Sequence, residues 1–397
     1  MALEKSYVPY GAYWTTPFCR WQGSLSQLHA LKLSAQVADR FLNDGNVPRE
    51  VIDGVVLGMT VPQRHSFYGA PWLAGLMGAP EVAGPTVAQA CATAARMIAM
   101  AALELETGQR ECLLCVACDR TSNGPHVYYP NPLGVGGTGE SENPVMDNFQ
   151  EDPFAKNAMI ETAEKVAKEV GITREEQDEV ALLRYQQYQD ALADDRAFQR
   201  RYMVPVELTK RGKTVGLVES DEGVQTTSAE GLARLRPVLE QGTVTYGTQT
   251  HPADGNAGIL LCTRERAKEL SSTEDVTVRV LGYGEARVAK GFMPMAPVPA
   301  ARHALERAGV NLDSVGAIKT HNPFALNDVY FCRETGVSKE DVNRFGSPLI
   351  WGHPQAPTGL RALIELIEEL KDKGGGIGLF TGCAAGDTGM ALVIRLD

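Results

Sequence analysis

A chain of 397 residues with 44% hydrophobic content has enough apolar material for two or three domains with large cores. Its net charge of −11 argues against general nucleic-acid binding, but leaves room for an anionic ligand in a local basic pocket. No apolar run approaches the roughly 20 residues that span a bilayer, and the opening MALEKSYVPYGAYW lacks the apolar core of a signal peptide. These features lead us to expect a soluble, cytoplasmic protein whose eight cysteines are thiols rather than disulfides.

Up to about Arg120 the chain alternates helical and strand patterns. QLHALKLSAQVADRFLND (27–44) reads as an amphipathic helix, and VIDGVVLGMTV (51–61) and ECLLCVACD (111–119) read as buried strands. Such alternation implies an α/β layered fold. Between those strands, GPTVAQACATAARM (84–97) sets Cys91 in a run of small residues. Gly84 and Pro85 break what precedes it, and residues 93–105 are rich in helix formers. Cys91 is therefore expected on a turn or in a first helical turn. There, free N–H groups and the positive helix end ease ionisation of a nucleophilic thiol. The plainer reading is a small buried residue that allows close packing. Cys112, Cys115 and Cys118 stand three apart, but a tetrahedral metal site takes four ligands, usually from two clusters. No CxxC or His pair answers them, and a buried strand would turn these positions to alternate faces, so no metal is expected.

From Thr121 the texture changes to Gly, Pro and Asn, then to polar helical stretches at 158–170 and 171–195. In the second stretch TREE resembles a capping box. The region to about Gln249 reads as an insertion over a core, and from ADGNAGILLCT onward the α/β pattern returns. Residues 95–118 also lie on 360–383 without a gap, so that Arg96 meets Arg361, Leu105 meets Leu370 and Cys118 meets Cys383. Each is an amphipathic helix, a polar turn and an apolar strand ending in Cys, which predicts two similar halves.

The last third adds His321 in KTHNPFA, His353 in GSPLIWGHPQAPTGLRA and Cys383 in GLFTGCAAGDTGMALVI. Each alone has a structural explanation: a loop histidine, a capping or packing histidine, a thiol chosen for size. With Cys91 they form a set of two thiols and two imidazoles, each beside a glycine or a proline at an element end. Acyl transfer through cysteine needs a thiolate, a proton acceptor to make it, an acid/base for the second substrate, and oxyanion donors. This set offers all four.

Over nearly its whole length the chain resembles the thiolase family. VAQACATAARM resembles the run that carries the family's nucleophile, and 235–258 the stretch that closes its inserted loop domain. GHPQAPTG resembles its Gly-His-Pro motif, and GCAAGDTGMA its C-terminal Cys-x-Gly-Gly-Gly turn. HNPFA takes the place of the Asn-Glu-Ala-Phe motif, with His321 where Asn is usual, which is similar to the sterol-carrier-protein-type branch. The resemblance implies a duplicated βαβαβαββ core, layered α-β-α-β-α. Residues 1–120, completed by about 250–268, would form one half and 269–397 the other. The insertion, 121–249, would bind coenzyme A as a substrate, with no resident cofactor.

The resemblance also implies roles. Cys91 would be acylated, and His353 would take its proton and help hold the first oxyanion, assisted by His321. Cys383 would move a proton at carbon, and the N–H groups of Cys91 and Ala385 would hold the second oxyanion. Thr250 would line the site. The reaction would be cleavage or formation of a 3-oxoacyl-CoA. Ala385 and Asp387 depart from the family's glycines, and a left-handed backbone at Ala385 would cost more than at glycine. Trp351 and the aromatic RHSFYGAPW (64–72) suggest a bulky or aryl substrate such as 2-benzoylsuccinyl-CoA. The apolar stretch 61–78 is expected at a homodimer interface, and the branch includes enzymes that work with a small OB-fold and zinc-ribbon subunit. Two other readings are a decarboxylating ketoacyl synthase, which lacks the C-terminal cysteine, and a non-catalytic subunit or lipid carrier.

Overall fold

The computed structural model describes residues 2–45 and 47–397. After β1 (Tyr7–Val8) and β2 (Tyr13–Thr15) come α1 (Ala30–Asp44), β3 (Gly54–Gly58), α2 (Gly69–Leu76), β4 (Thr86–Val87), α3 (Thr93–Glu106) and β5 (Cys112–Arg120). The chain then makes a long excursion and returns in β6 (Ala253–Cys262). The remainder runs β7 (Val278–Arg287), α4 (Pro297–Ala308), β8 (Val315–His321), α5 (Ala325–Thr335), α6 (Gln355–Asp372), β9 (Gly376–Ala384) and β10 (Thr388–Leu396).

Two halves repeat one pairing scheme. β3 is parallel to β5, and β5 antiparallel to β6. Likewise β8 is parallel to β9, and β9 antiparallel to β10. β2 closes the first half against β6, and β7 closes the second against β10. Tyr7 of β1 joins them, opposite Cys262 on one side and Arg279 on the other.

The central helices explain the internal repeat. α3 and α6 pack together between the half-sheets, and Met97, Ile98 and Leu105 share one core with Leu363, Ile367 and Leu370. α1 and α2 cover the outer face of the first half, and α4 that of the second, which gives the expected five layers. Each fully buried aliphatic side chain contributes about 1.5–3 kcal/mol, so this shared helix layer is a main source of cohesion. β5 is buried on both faces: Cys112 and Cys118 enter the outer core and Cys115 the central one.

Every residue of α6 from Gln355 to Leu370 is buried, so its charges need partners. Arg361 makes two bonds to Asp221, at 2.6 and 2.8 Å, and one to Glu365 at 3.0 Å. Lys319 reaches Glu365 at 3.1 Å. Removing one partner of such a buried pair costs about 3–5 kcal/mol. Asp221 lies between β5 and β6, so the pair fixes that excursion to the central helix.

The excursion contains helices Met159–Val170 and Arg174–Ala191 and a hairpin, Val206–Lys210 with Lys213–Val218. Thr173 and Glu176 form the capping box read from TREE: Thr173 N donates to Glu176 Oε2 at 2.8 Å, and Glu176 N to Thr173 Oγ1 at 3.3 Å. No described helix is long and apolar enough to cross a membrane.

Candidate active site

The site forms where strand ends meet. His321 ends β8 and lies in register with Gly382 of β9, immediately before Cys383. Glycine is needed there, because a Cβ at 382 would fall 2.6 Å from His321 Cβ. Cys91 occupies the turn between β4 and α3, just before the helix N-cap Ala92. Thr93 ties this turn: its hydroxyl donates to the Ala90 carbonyl at 2.7 Å and accepts from Gln89 N at 2.8 Å. Ala90 is held at φ 43°, a left-handed conformation that costs a non-glycine residue about 1–2 kcal/mol.

His353 Nε2 lies 3.0 Å from Cys91 Sγ, and His353 Nδ1 lies 2.7 Å from Thr358 Oγ1. Thr358 Oγ1 is also 2.6 Å from the Pro354 carbonyl. A hydroxyl has one hydrogen and a carbonyl only accepts, so Thr358 donates to Pro354 and accepts from His353 Nδ1–H. The Nε2 lone pair therefore faces the Cys91 thiol. The His321 ring centroid is 4.3 Å from that of His353, and Cys91, His321 and His353 each place a donor atom within 4.8 Å of the others. His321 is 1% exposed and neither ring nitrogen has a hydrogen-bond partner among the described residues.

Burial pushes the Cys91 thiol up to about 12, although the N–H groups of Ala385 and of Cys91 itself hold it down. Burial lowers His321 to about 3, and lowers His353 well below its ordinary value, with His321 adding to the effect. The resting pair is thus a neutral thiol and a neutral imidazole. Cys91 sits just before the helix, and desolvation there opposes the ease of ionisation expected from the nearby N–H groups.

Cys383 is buried, and Asn327 Nδ2 donates to its sulfur at 3.5 Å. The Asn327 carbonyl is occupied by Phe324 N at 3.1 Å, which turns the amide hydrogens toward the thiol. Burial and the neighbouring Cys91 push the Cys383 thiol up. The strain expected at Ala385 falls elsewhere, on Gly386 (φ 83°) and Asp387 (φ 59°). Asp tolerates this region better than most residues, and Asp387 Oδ2 accepts from Gly291 N at 2.9 Å.

Cys91, His353, Ala385 and Thr250 line a cavity of about 440 Å³ whose other wall is apolar: Met146, Phe149, Met159, Met293 and Phe324. Thr250 Oγ1 donates to the Pro348 carbonyl at 2.6 Å. Trp351 is off this cavity, packed between Phe18 at 5.3 Å and Arg361 at 4.4 Å, and residues 64–72 do not line it either. The aromatic residues behind the expectation of an aryl substrate therefore do not shape the pocket. The basic cluster TKRGK forms the turn of the hairpin and lines no part of the cavity.

Three supporting residues escaped the sequence reading: Thr358, Asn327 and Asp119. Asp119 is 1% exposed and accepts from Thr60 N (2.8 Å), Thr60 Oγ1 (2.7 Å), Val61 N (2.9 Å) and Ala356 N (2.7 Å). It caps α6 from across the fold, three residues after His353. An acid ending the apolar run CLLCVACD was the one available signal.

The chain matches known proteins over almost its whole length. Residues 12–265 match the model of the thiolase N-terminal domain, and residues 274–396 that of the C-terminal domain. The chain is 29% identical to an acetyl-CoA acetyltransferase of Pseudomonas aeruginosa, over 95% of this chain and 96% of the relative. It is 30% identical to a 3-ketoacyl-CoA thiolase of Bacillus subtilis, over 94% and 95%. Among solved structures, the Bacillus anthracis acetyl-CoA acetyltransferase superposes with a TM-score of 0.91 at 29% identity, covering 100% of both chains. Human mitochondrial 3-ketoacyl-CoA thiolase in complex with CoA superposes with a TM-score of 0.90 at 26% identity, over 100% of this chain and 99% of that one. The two matching domain models, together spanning almost the whole sequence, place the chain in the thiolase family of acyltransferases.

Proposed function

We propose that this protein is a coenzyme A-dependent thiolase that cleaves a 3-oxoacyl-CoA, or forms one in reverse, through an acyl-Cys91 intermediate. The reading rests above all on the 3.0 Å contact between Cys91 Sγ and the His353 Nε2 lone pair. In cleavage, His353 takes the Cys91 proton as sulfur attacks the 3-keto carbon. The protonated Nε2, assisted by His321, stabilises an oxyanion on one side of the site. As the C2–C3 bond breaks, the Cys383 thiol protonates C2 and acetyl-CoA leaves. The Cys383 thiolate then removes the proton of an incoming CoA thiol, which attacks the acyl group on Cys91. The N–H groups of Cys91 and Ala385 hold that second oxyanion. Collapse releases acyl-CoA, and His353 returns its proton to Cys91. Coenzyme A is a substrate here, with no resident cofactor.

The apolar wall of Met146, Phe149, Met159 and Met293 suits an apolar acyl chain, and methionines adapt to chain shape. The reading as a non-catalytic subunit or lipid carrier loses its premise, because Asp387 has a structural partner and Ala385 keeps its N–H. A homodimer completes the proposal, with the exposed Phe67 and Tyr68 covered by a second copy. The deciding experiment measures CoA-dependent cleavage over a panel of 3-oxoacyl-CoAs by the chain expressed alone. Mass spectrometry then locates the trapped thioester. Cleavage with an acyl group on Cys91 supports the reading, and a thioester on another cysteine overturns it. Robust turnover by the chain alone would make an OB-fold subunit unnecessary.

A further inference from the structure

Cys91, His321 and His353 reach one point from three elements: the turn before α3, the end of β8 and the segment that leads into α6. One sulfur and two imidazole nitrogens, each within 4.8 Å of the others, make a ligand set as well as a proton relay. We propose that this triad binds one Zn²⁺ ion, through Cys91 Sγ and one nitrogen of each histidine, and that the bound ion blocks acylation of Cys91. The block rests on the thiolase reading, whereas the binding stands apart from it.

Spacing and an unmet lone pair carry the inference. Zn–S bonds of about 2.3 Å and Zn–N bonds of about 2.0–2.1 Å set tetrahedral ligand atoms about 3.3–3.6 Å apart. The 3.0 Å between Cys91 Sγ and His353 Nε2 and the 4.8 Å bound on the triad bracket that spacing, so small side-chain rotations admit the ion. His321 is almost fully buried, and neither of its ring nitrogens has a partner among the described residues. A buried acceptor without a donor is costly, and a cation shared with Cys91 and His353 would satisfy it.

The other ligands are already oriented. Thr358 Oγ1 accepts from His353 Nδ1, which leaves the Nε2 lone pair toward the sulfur. Metal-bound histidines are commonly held by such a second partner. Thr93 ties the Cys91 turn, and β9 holds His321 in register with Gly382. A thiolate with two imidazoles suits Zn²⁺, whereas Mg²⁺ and Ca²⁺ take oxygen ligands. Cys383 lies outside the triad, and both Cys91 and His353 line the cavity, so water completes the tetrahedron. On binding, the Cys91 S–H bond breaks, its proton passes to solvent and a Zn–S bond forms, with no change of oxidation state. The ion then occupies the sulfur and nitrogen lone pairs that attack on a thioester or a 3-keto carbon needs. Zinc is thus an inhibitor of the reaction and not a cofactor.

The test begins with the purified chain, stripped by EDTA and titrated with Co²⁺, whose spectrum reports its ligands. One ion per chain should give a thiolate-to-metal charge-transfer band with the intense visible bands of tetrahedral Co²⁺, and Zn²⁺ should remove both. Cys91→Ser should abolish the charge-transfer band. His321→Asn should weaken Zn²⁺ binding at least about 100-fold, beyond the usual loss for an outer-shell partner. Cys383→Ala should bind as the wild type does. Zn²⁺ should also protect Cys91 from iodoacetamide, EDTA should restore alkylation, and Mg²⁺ should give no protection. An unprotected Cys91, a Co²⁺ spectrum without charge transfer, or equal binding by Cys91→Ser overturns the site. Acyl transfer to Cys91 from a thioester that is unchanged by bound Zn²⁺ overturns the block. A chain that binds the ion at Cys91 yet cleaves no 3-oxoacyl-CoA after EDTA treatment would sink the thiolase reading and leave the metal site standing.

Discussion

Thr358 accepts the Nδ1 hydrogen of His353 across 2.7 Å and passes its own hydrogen to the Pro354 carbonyl at 2.6 Å. Histidine tautomers are close in energy, so this hydroxyl decides which nitrogen presents a lone pair to Cys91. Thr358→Val keeps the shape and removes the acceptor. Acylation of Cys91 should then slow by about 10- to 100-fold, with KM little changed, as expected for a partner that orients a proton acceptor. Thr358→Ser should restore most of the rate. A silent Thr358→Val variant would show that the tautomer is set in another way.

The neutral resting pair has a pH signature. With the Cys91 thiol pushed up to about 12, its thiolate fraction grows throughout the neutral range. Alkylation of Cys91 by iodoacetamide should rise about tenfold per pH unit between pH 7 and 9. Rates already level below pH 7 would instead indicate a standing thiolate–imidazolium pair.

Cys383 and Cys91 should separate into different half-reactions. Cys383→Ala should leave acylation of Cys91 by a simple acyl-CoA largely intact. Carbon–carbon cleavage should fall by about two to four orders of magnitude, the range for losing a general acid/base. Asn327→Ala removes the donor to Cys383 and should slow the same step by less. Full cleavage by Cys383→Ala would contradict the proton role.

The proposed dimer predicts a surface effect. Phe67 is 98% exposed and Tyr68 65% exposed, beside α2. Phe67→Glu would bury a charge at the proposed contact, and sedimentation should show a shift toward monomer. A wild type that sediments as a fully active monomer would refute the assembly.

The duplicated core was legible because hydrophobic periodicity is local: the matched helices α3 and α6 bury the same face, and Leu105 and Leu370 share one core. The motifs that hold Cys91, His353, His321 and Cys383 are each short and ordered, and the structure brings Cys91, His321 and His353 within 4.8 Å of one another. Proximity of Cys91 to a helix start is visible in sequence, whereas the desolvation that opposes its ionisation is not. Trp351 misled in the same way, since an aromatic beside a motif lies as readily in the core as on the pocket. Thr358 and Asn327 went unnoticed because a positioning bond depends on side-chain direction. The contacts of Asp119 span 59 and 237 residues of chain, and no local pattern records them.

Asp119 gives the last prediction. Its Oδ1 accepts from Thr60 N and Val61 N, and its Oδ2 from Thr60 Oγ1 and Ala356 N. Burial nevertheless raises it from 3.8 to about 6, because the donors only partly offset desolvation. The folded chain therefore holds a proton between about pH 4 and 6 that the unfolded chain has released. The contribution of this group to stability is fully present below the unfolded value and is lost as pH rises through about 6. Asn does not titrate, so Asp119→Asn supplies a flat reference. The unfolding free energy of the wild type minus that of the variant should decrease between pH 4 and 6.5, by at most about 3 kcal/mol. At pH 7 the variant's amide also faces the Ala356 N–H without accepting from it, and an unpaired buried donor costs about 1–3 kcal/mol. That N–H starts the helix after His353, so kcat should fall more than KM rises. A difference that stays flat from pH 4 to 6.5 would mean that Asp119 titrates as an ordinary carboxylate, and one that grows would mean that its donors outweigh its burial.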